Sequence, residues 1–259
     1  MKIITWNVNS IRTRLPRCLA LLERHSPDLL CLQETKVEDD KFPRQEIEAA
    51  GYQVEVFGQK TYNGVALLSK KPLENVQRGF PGNPIPEQAR AIGATLDGVE
   101  VWNLYVVNGQ ALDSPKFPIK MAWLQGFFDW MQGERKPNQD LVVVGDFNIA
   151  PEDRDVHDPK KWSGKILCSD QEREKLQSFL DWGLTDLFRL HEAGDGHFTW
   201  WDYRAGAFPR GWGLRIDLML GTASMIKRCR GVQIDREERK KTTGEGTPSD
   251  HAPVILELD

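Results

Sequence analysis

Apolar residues along the chain gather into short runs of strand length, separated by polar stretches rich in glycine and proline. The runs KIITWNV (2–8), DLLCLQ (28–33), YQVEVFG (52–58), GVALLSK (64–70) and ARAIGATL (89–96) predict strands. So do VEVWNLYVV (99–107), LVVVGDF (141–147), IDLML (216–220), GVQIDRE (231–237) and APVILEL (252–258). Several alternate apolar with polar residues, as strands with one covered face do. Helical spacing appears between them. LPRCLALLERHS repeats Leu15, Leu19 and Leu22, with Pro16 tolerable in a first turn. KFPIKMAWLQGFFDWMQGER spaces Ile119, Trp123, Phe127 and Trp130 likewise. SDQEREKLQSFLDWG opens with Ser169 as N-cap and Glu172 three residues on, a capping box, and closes at Gly183.

Many strands, few helices and no compositional break predict a single α/β domain over residues 1–259. Two β-sheets packed face to face, with helices outside, would bury these strands. The irregular stretches near 75–88, 150–168, 192–213 and 236–249 are candidate functional loops.

Composition narrows the picture only a little. A net charge of -4 and an isoelectric point near 5.8 give no global field for a polyanion. Contact with nucleic acid then needs a local basic patch or a bound cation. Cys18, Cys31, Cys168 and Cys229 lie far apart and form no CxxC pair. They match neither a zinc ligand set nor a secreted disulfide framework. With strand-like residues from the start, no signal core and no apolar run of spanning length, the expectation is a cytoplasmic protein with no membrane association.

The chemistry lies where strands end. LVVVGDFNIAP (141–151) carries a buried-strand run into Asp146, with Asn148 two positions on. If the strand persists, the two side chains project the same way. A simple turn explains them equally, since Gly, Asp and Asn favour turns. The pattern recurs at Asn7 and Asn9, at Glu34, and at Tyr105 with Asn108. It recurs again at Asp217 inside LRIDLML and at Asp250 and His251 before the last strand. Singly, the asparagines read as loop starts, Glu34 as a solvated strand end and the histidine as structural. Asp217 is the exception, because an acid amid apolar strand residues needs a partner. Six strand ends of one chemistry point instead to convergence on a pocket.

Oxygen-rich ligands without cysteine suit a hard cation such as Mg²⁺ or Mn²⁺. A histidine beside an acid gives an oriented base, and amides and a tyrosine can donate to a developing oxyanion. No GxSxG, Walker loop or HExxH is present. The set fits metal-assisted hydrolysis of a phosphodiester.

NVNSIR, LQETKV, GVALLSK, GDFNIAP, FTWWDYR, GLRIDL and PSDHAPV, in this order, resemble the exonuclease III family of bacterial AP endonucleases, within the endonuclease/exonuclease/phosphatase superfamily. The resemblance runs from Met1 to Asp259, and FTWWDYR with GLRIDL narrows it to the DNA-repair branch. It implies a four-layer α/β sandwich of two β-sheets flanked by helices. It also implies Mg²⁺- or Mn²⁺-dependent cleavage 5′ to an abasic site in duplex DNA, leaving a 3′-hydroxyl, with removal of 3′ blocking groups and 3′ exonuclease action. By that resemblance Glu34 is the principal metal ligand, with Asn7 in the same shell and Asp250 a further metal or supporting acid. Asp146 handles the attacking water, Asn148 holds it, and Tyr105 reaches the scissile phosphate. Asp217 pairs with His251, which contacts the phosphate or acts as base. Asp146, Asn148 and His251 are alternatively ligands of a second ion. Residues 198–215 mix aromatics with arginines and are the expected DNA-facing surface. Within it Trp200 aligns with the aromatic of the abasic pocket, and Arg204, Trp212 and Arg215 are candidate DNA contacts. Asn108 is grouped with them, and Lys36 and Arg90 are candidate phosphate or active-site supports. REERKK (236–241) reads as a solvated hairpin face. A monomer is the default.

Three departures touch substrate-facing loops. Val106, Val107, Asn108 and Gly109 replace the family's proline-bearing stretch after Tyr105, Ser10 stands where glycine is usual, and Trp212 is an added aromatic. They leave the balance between AP endonuclease and 3′-exonuclease open. A small-molecule or lipid phosphodiesterase and a non-catalytic DNA-binding adapter are the competing classes.

Overall fold

The computed structural model describes all residues 1–259. Twelve strands form: β1 Lys2–Asn7, β2 Leu29–Gln33, β3 Gln53–Phe57, β4 Val65–Ser69, β5 Glu74–Arg78 and β6 Ala91–Leu96, then β7 Val99–Tyr105, β8 Leu141–Asp146, β9 Thr185–Asp186, β10 Asp217–Gly221, β11 Cys229–Ile234 and β12 Val254–Leu258. The α-helices are α1 Ile11–His25, α2 Arg44–Ala49, α3 Lys116–Glu134, α4 Pro159–Trp162, α5 Asp170–Trp182 and α6 Ala223–Arg228. The strands divide into two six-stranded sheets, ordered β11-β12-β1-β2-β4-β3 and β5-β6-β7-β8-β10-β9.

Three apolar layers show how these stack. One joins the facing sheets through Ile3, Leu29, Leu67, Val101, Val142 and Val144. A second packs the second sheet against α3 and α5 through Trp102, Trp123, Phe127 and Phe179. A third packs the first sheet against α1 and α2 through Ile4, Trp6, Leu21 and Ile47. The fold is therefore the expected helix–sheet–sheet–helix sandwich. Central strands such as β8 are buried on both faces, which is why LVVV reads as a continuous apolar run.

All ten expected strands are present. The two additional ones are sheet edges that pattern cannot reveal: β5 is largely polar and part exposed, and β9 is two residues long. Helix α1 begins at Ile11, because the Ser10 and Ile11 amides donate to the Glu34 and Thr35 carbonyls (2.7 and 3.2 Å). Pro16 consequently lies in the second turn rather than the first. In α3 the inward stripe is Phe117, Lys120, Trp123, Leu124, Phe127, Trp130 and Met131, while Ile119 is 37% exposed. The capping box of α5 and its end at Gly183 are as the sequence indicates. Residues 236–239 form a 3₁₀ turn with Glu238 and Arg239 buried, so the stretch is not a solvated hairpin face. The Arg17 guanidinium explains this: it sits 2.8 Å from Glu238 and donates to carbonyls of the same loop.

Candidate active site

Strand register brings the candidate residues together. Asp146 ends β8 and stands opposite Tyr105 of β7 on one side and Asp217 of β10 on the other. In the facing sheet, Asn7 ends β1 opposite Gln33, and Glu34 follows directly. Two sheets thus present their tips to one cleft of about 400 Å³. Its wall includes Glu34, Tyr105, Asn108, Asp146, Asn148, Trp200, Arg204, Asp250 and His251. A larger groove, about 1080 Å³, lies between α1 and α2 and contains none of them.

Hydrogen bonds fix the polar groups. The Asn7 amide donates to Glu34 Oε1 (2.8 Å) and Asp146 Oδ2 (2.9 Å), tying the acids of the two sheets together. Asp146 Oδ1 accepts the Asn148 backbone N–H (2.9 Å). Asn148 has a left-handed φ of 51°, so the chain turns immediately after the strand. Strand and turn are both real here: β8 delivers Asp146, and the turn brings Asn148 back beside it. Asn148 Nδ2 donates to the Val106 carbonyl (3.0 Å), and its Oδ1 accepts from Asn108 (2.8 Å). His251 Nδ1 lies 2.9 Å from Asp217, and its Nε2 lies 3.8 Å from Asp146. The Thr199 hydroxyl accepts the backbone N–H groups of Ile216 and Asp217, fixing the start of β10.

These groups perturb one another. Burial, only partly offset by His251, and repulsion from Asp217 push Asp146 up to about 7. Burial works against the His251 cation, but Asp217 and then Asp146 outweigh it and push His251 up to about 10. Burial and the Glu34 charge raise Tyr105 well above its usual value, so its hydroxyl keeps its proton and can donate. Burial opposes the Asp250 charge, yet His251, Asn9 and Trp200 hold its carboxyl below the usual range. Ligand atoms of Glu34, Asp146 and His251 lie within 4.8 Å of one another. Two crowded carboxylates fit a hard divalent cation, which would relieve the carboxylate repulsion that adds to burial in raising Asp146. Asn7 bridges these acids. Asp250 stands one step back, its oxygens accepting from Asn9 (2.9 Å) and Trp200 (3.1 Å).

The remaining candidates divide by exposure. Arg204 is exposed at the cleft rim, held by Asp202, and Trp200 forms part of the wall. Trp212 is 40% exposed, outside the cleft, with the Arg210 guanidinium 4.6 Å from its ring centre. Lys36 turns inward to Glu34 (2.8 Å) and Asn9 (2.6 Å) and supports the site. Arg90 lies over the Tyr105 ring at 4.7 Å and donates to the Tyr105 carbonyl (3.2 Å), so it orients that tyrosine instead of facing a strand. Arg215 is not a DNA contact. Its guanidinium is 1% exposed and pairs with Asp155 (2.6 Å) and Asp186 (2.7 Å). Three apolar wall residues, Trp162, Ile166 and Leu167, come from the 150–168 loop. Only that loop's irregular length marked it in the sequence. Thr199 had a fainter signal still, as the one small hydroxyl inside FTWW.

Fold and site together define a two-sheet sandwich with acids, amides and one histidine at a shared edge. The chain belongs to the endonuclease/exonuclease/phosphatase family, whose model matches residues 4–251. It is 35% identical over 273 residues to the exodeoxyribonuclease III of Haemophilus influenzae, covering 100% of both chains. A solved 3′ phosphatase from Neisseria, bound to a product DNA hairpin, superposes with a TM-score of 0.95 at 45% identity, covering 100% of this chain and 99% of that one. An AP endonuclease from Archaeoglobus fulgidus superposes with a TM-score of 0.94 at 37% identity, with 100% and 99% covered.

Proposed function

We propose that the protein is a metal-dependent DNA-repair phosphodiesterase. It cleaves duplex DNA 5′ to abasic sites and acts on 3′ ends as exonuclease and phosphatase. The observation that carries this reading is the convergence of Asn7, Glu34, Tyr105, Asp146, Asn148, Asp217 and His251 on one cleft. Relatives named as exodeoxyribonuclease, 3′ phosphatase and AP endonuclease support it.

Asp146 and Asn148 hold the attacking water, the Asp146 carboxylate being fixed by Asn7 and the Asn148 backbone N–H, and Asp146 accepts the proton as the water attacks phosphorus. The bond from phosphorus to the 3′-oxygen breaks, its electron pair stays on that oxygen, and the oxygen takes a proton from solvent to leave as a 3′-hydroxyl. Tyr105 donates to a phosphate oxygen, and His251, oriented by Asp217, presents Nε2 to the same group. Glu34 and Asp146, with His251 beside them, would hold Mg²⁺ or Mn²⁺, which when bound supplies charge neutralisation to the phosphodiester. Trp162, Ile166, Leu167 and Trp200 give the cleft an apolar wall suited to a sugar that lacks its base.

The test is one end-labelled duplex with a single central abasic analogue, incubated with Mg²⁺, Mn²⁺ or EDTA. A metal-dependent cut 5′ to the lesion is the expected result. A ladder from the 3′ end alone would make the protein chiefly an exonuclease and point to the altered loop after Tyr105. No cleavage with either metal would overturn the reading.

A further inference from the structure

Behind the Asn108 and Asn148 loops of the cleft, a lysine occupies a core position of α3. Lys120 is fully buried, together with Glu172, its ion-pair partner in α5. Its ammonium has three protons and three acceptors: the Asn148 carbonyl (2.6 Å), the Asn108 carbonyl (3.3 Å) and Glu172 Oε1. The first two carbonyls belong to the loops after β8 and β7, and these same residues exchange the amide hydrogen bond inside the cleft. One ammonium therefore clamps both water-side amides from the rear.

Three features argue that this clamp serves the site. A methionine or leucine would fill the same α3 position at no desolvation cost, since its neighbours on the inward face are apolar. Asn148 is held at φ 51°, a conformation an asparagine adopts but does not maintain alone, and Lys120 takes the carbonyl this turn leaves free. Gly109 has φ +87°, and a Cβ there would come 2.9 Å from Ile166 Cδ1 of the wall and 3.2 Å from the Lys120 stem. The loop after Tyr105, where the sequence departs from the family pattern, thus packs closely between this lysine and the Ile166 side of the wall. Glu172 completes the link by accepting the Leu167 backbone N–H (3.0 Å), and Leu167 belongs to the apolar wall.

We infer that Lys120 is a positioning residue that sets Asn148 and Asn108 for the attacking water and joins them, through Glu172, to the wall that seats the substrate. The inference rests on the function proposed above. Its mark is a loss of turnover larger than any loss of substrate affinity, because the clamp touches no substrate atom and holds the two water-side amides directly but the wall only through Glu172.

The experiment uses the full chain on the abasic duplex. Lys120→Met alone would strand Glu172, so the informative variants are the neutral pairs Lys120→Met/Glu172→Gln and Lys120→Leu/Glu172→Leu. We expect a folded pair variant with parental Mn²⁺ affinity, a KM changed by no more than a few-fold and a kcat about 10- to 100-fold lower, the scale of a small misplacement of a reacting group. Parental kcat in a folded pair variant would overturn the inference, leaving the pair a purely structural one. Failure of both pair variants to fold would also overturn it, since the pair would then hold the fold and not the site. An inactive parent protein would overturn the proposed function and this inference with it, which separates the two failures.

Discussion

Two clusters of buried charge, both reached through β10, behave in opposite ways. In one, Arg215 lies between Asp155 and Asp186, with Arg189 also on Asp155, so the acids there are ion-paired at close range. In the other, Asp146 has its cation partner, His251, only at 3.8 Å and shares it with Asp217. The first cluster is matched within itself. The second buries its acids and keeps them crowded together, and burial first, then the Asp217 charge, raises Asp146 to about 7. Buried charge that is fully matched holds a fold, whereas buried charge left under strain is available for a cation and a reaction.

The sharpest way to break this comparison is Asp146→Asn. It removes the group that takes the proton, and it also relieves repulsion with Asp217 and Glu34. Turnover on the abasic duplex should fall by about 10³-fold or more, while the melting temperature stays level or rises. Parental turnover in a folded variant would refute the assignment of Asp146.

Arg215→Met should do the reverse. Asp155 and Asp186 lose a fully buried partner, and stability should drop by about 3–5 kcal/mol, as when one member of a buried pair is removed. Denaturant unfolding measures this. The salt dependence of duplex binding by the protein that remains folded should match the parent. A shallower salt slope would return Arg215 to the DNA surface.

Metal addition should separate the clusters more gently. A divalent ion binding only the folded state at a hundred times its Kd stabilises by about 2.7 kcal/mol. The parent and Arg215→Met should both show this Mg²⁺- or Mn²⁺-induced rise in melting temperature, and Asp146→Asn should show little of it. An equal rise in Asp146→Asn would place the ion elsewhere.

How much of this was legible in the sequence follows from what kind of signal each residue carries. The sandwich was legible because core strands such as LVVV announce burial on their own. Asp146, Asn148 and Asp217 were legible because polar residues at the end of apolar runs break a pattern. Arg215 misled for the same reason: an arginine next to a strand breaks the pattern whether it faces DNA or two buried acids, and those acids lie 60 and 29 positions away in the chain. Lys120 was hidden by the opposite effect. Helical spacing favoured Ile119, one residue earlier, and what lets a lysine sit on the inward stripe of α3 is its pairing with Glu172 and the Asn148 carbonyl, neither of which is local. Glu238 within REERKK was hidden likewise, its burial depending on Arg17 in α1. Pairing across sequence distance is what periodicity cannot express.

Arg204 gives the smallest effect and the finest contrast with Arg215, eleven positions on. Arg204 is 89% exposed along its side chain, and its partner is Asp202, two residues away at the cleft rim. Solvent screens such a pair, so removing it changes the fold little. Arg204→Ala should leave the melting temperature unchanged. If the guanidinium exchanges Asp202 for a backbone phosphate when duplex binds, the variant should bind more weakly by a similar factor on lesion-bearing and intact duplex, and its salt slope should be shallower by about one. An unchanged slope would mean that Arg204 stays with Asp202 throughout, and that positive charge reaches the DNA elsewhere on the 198–215 loop, with Arg210 beside Trp212 next to test.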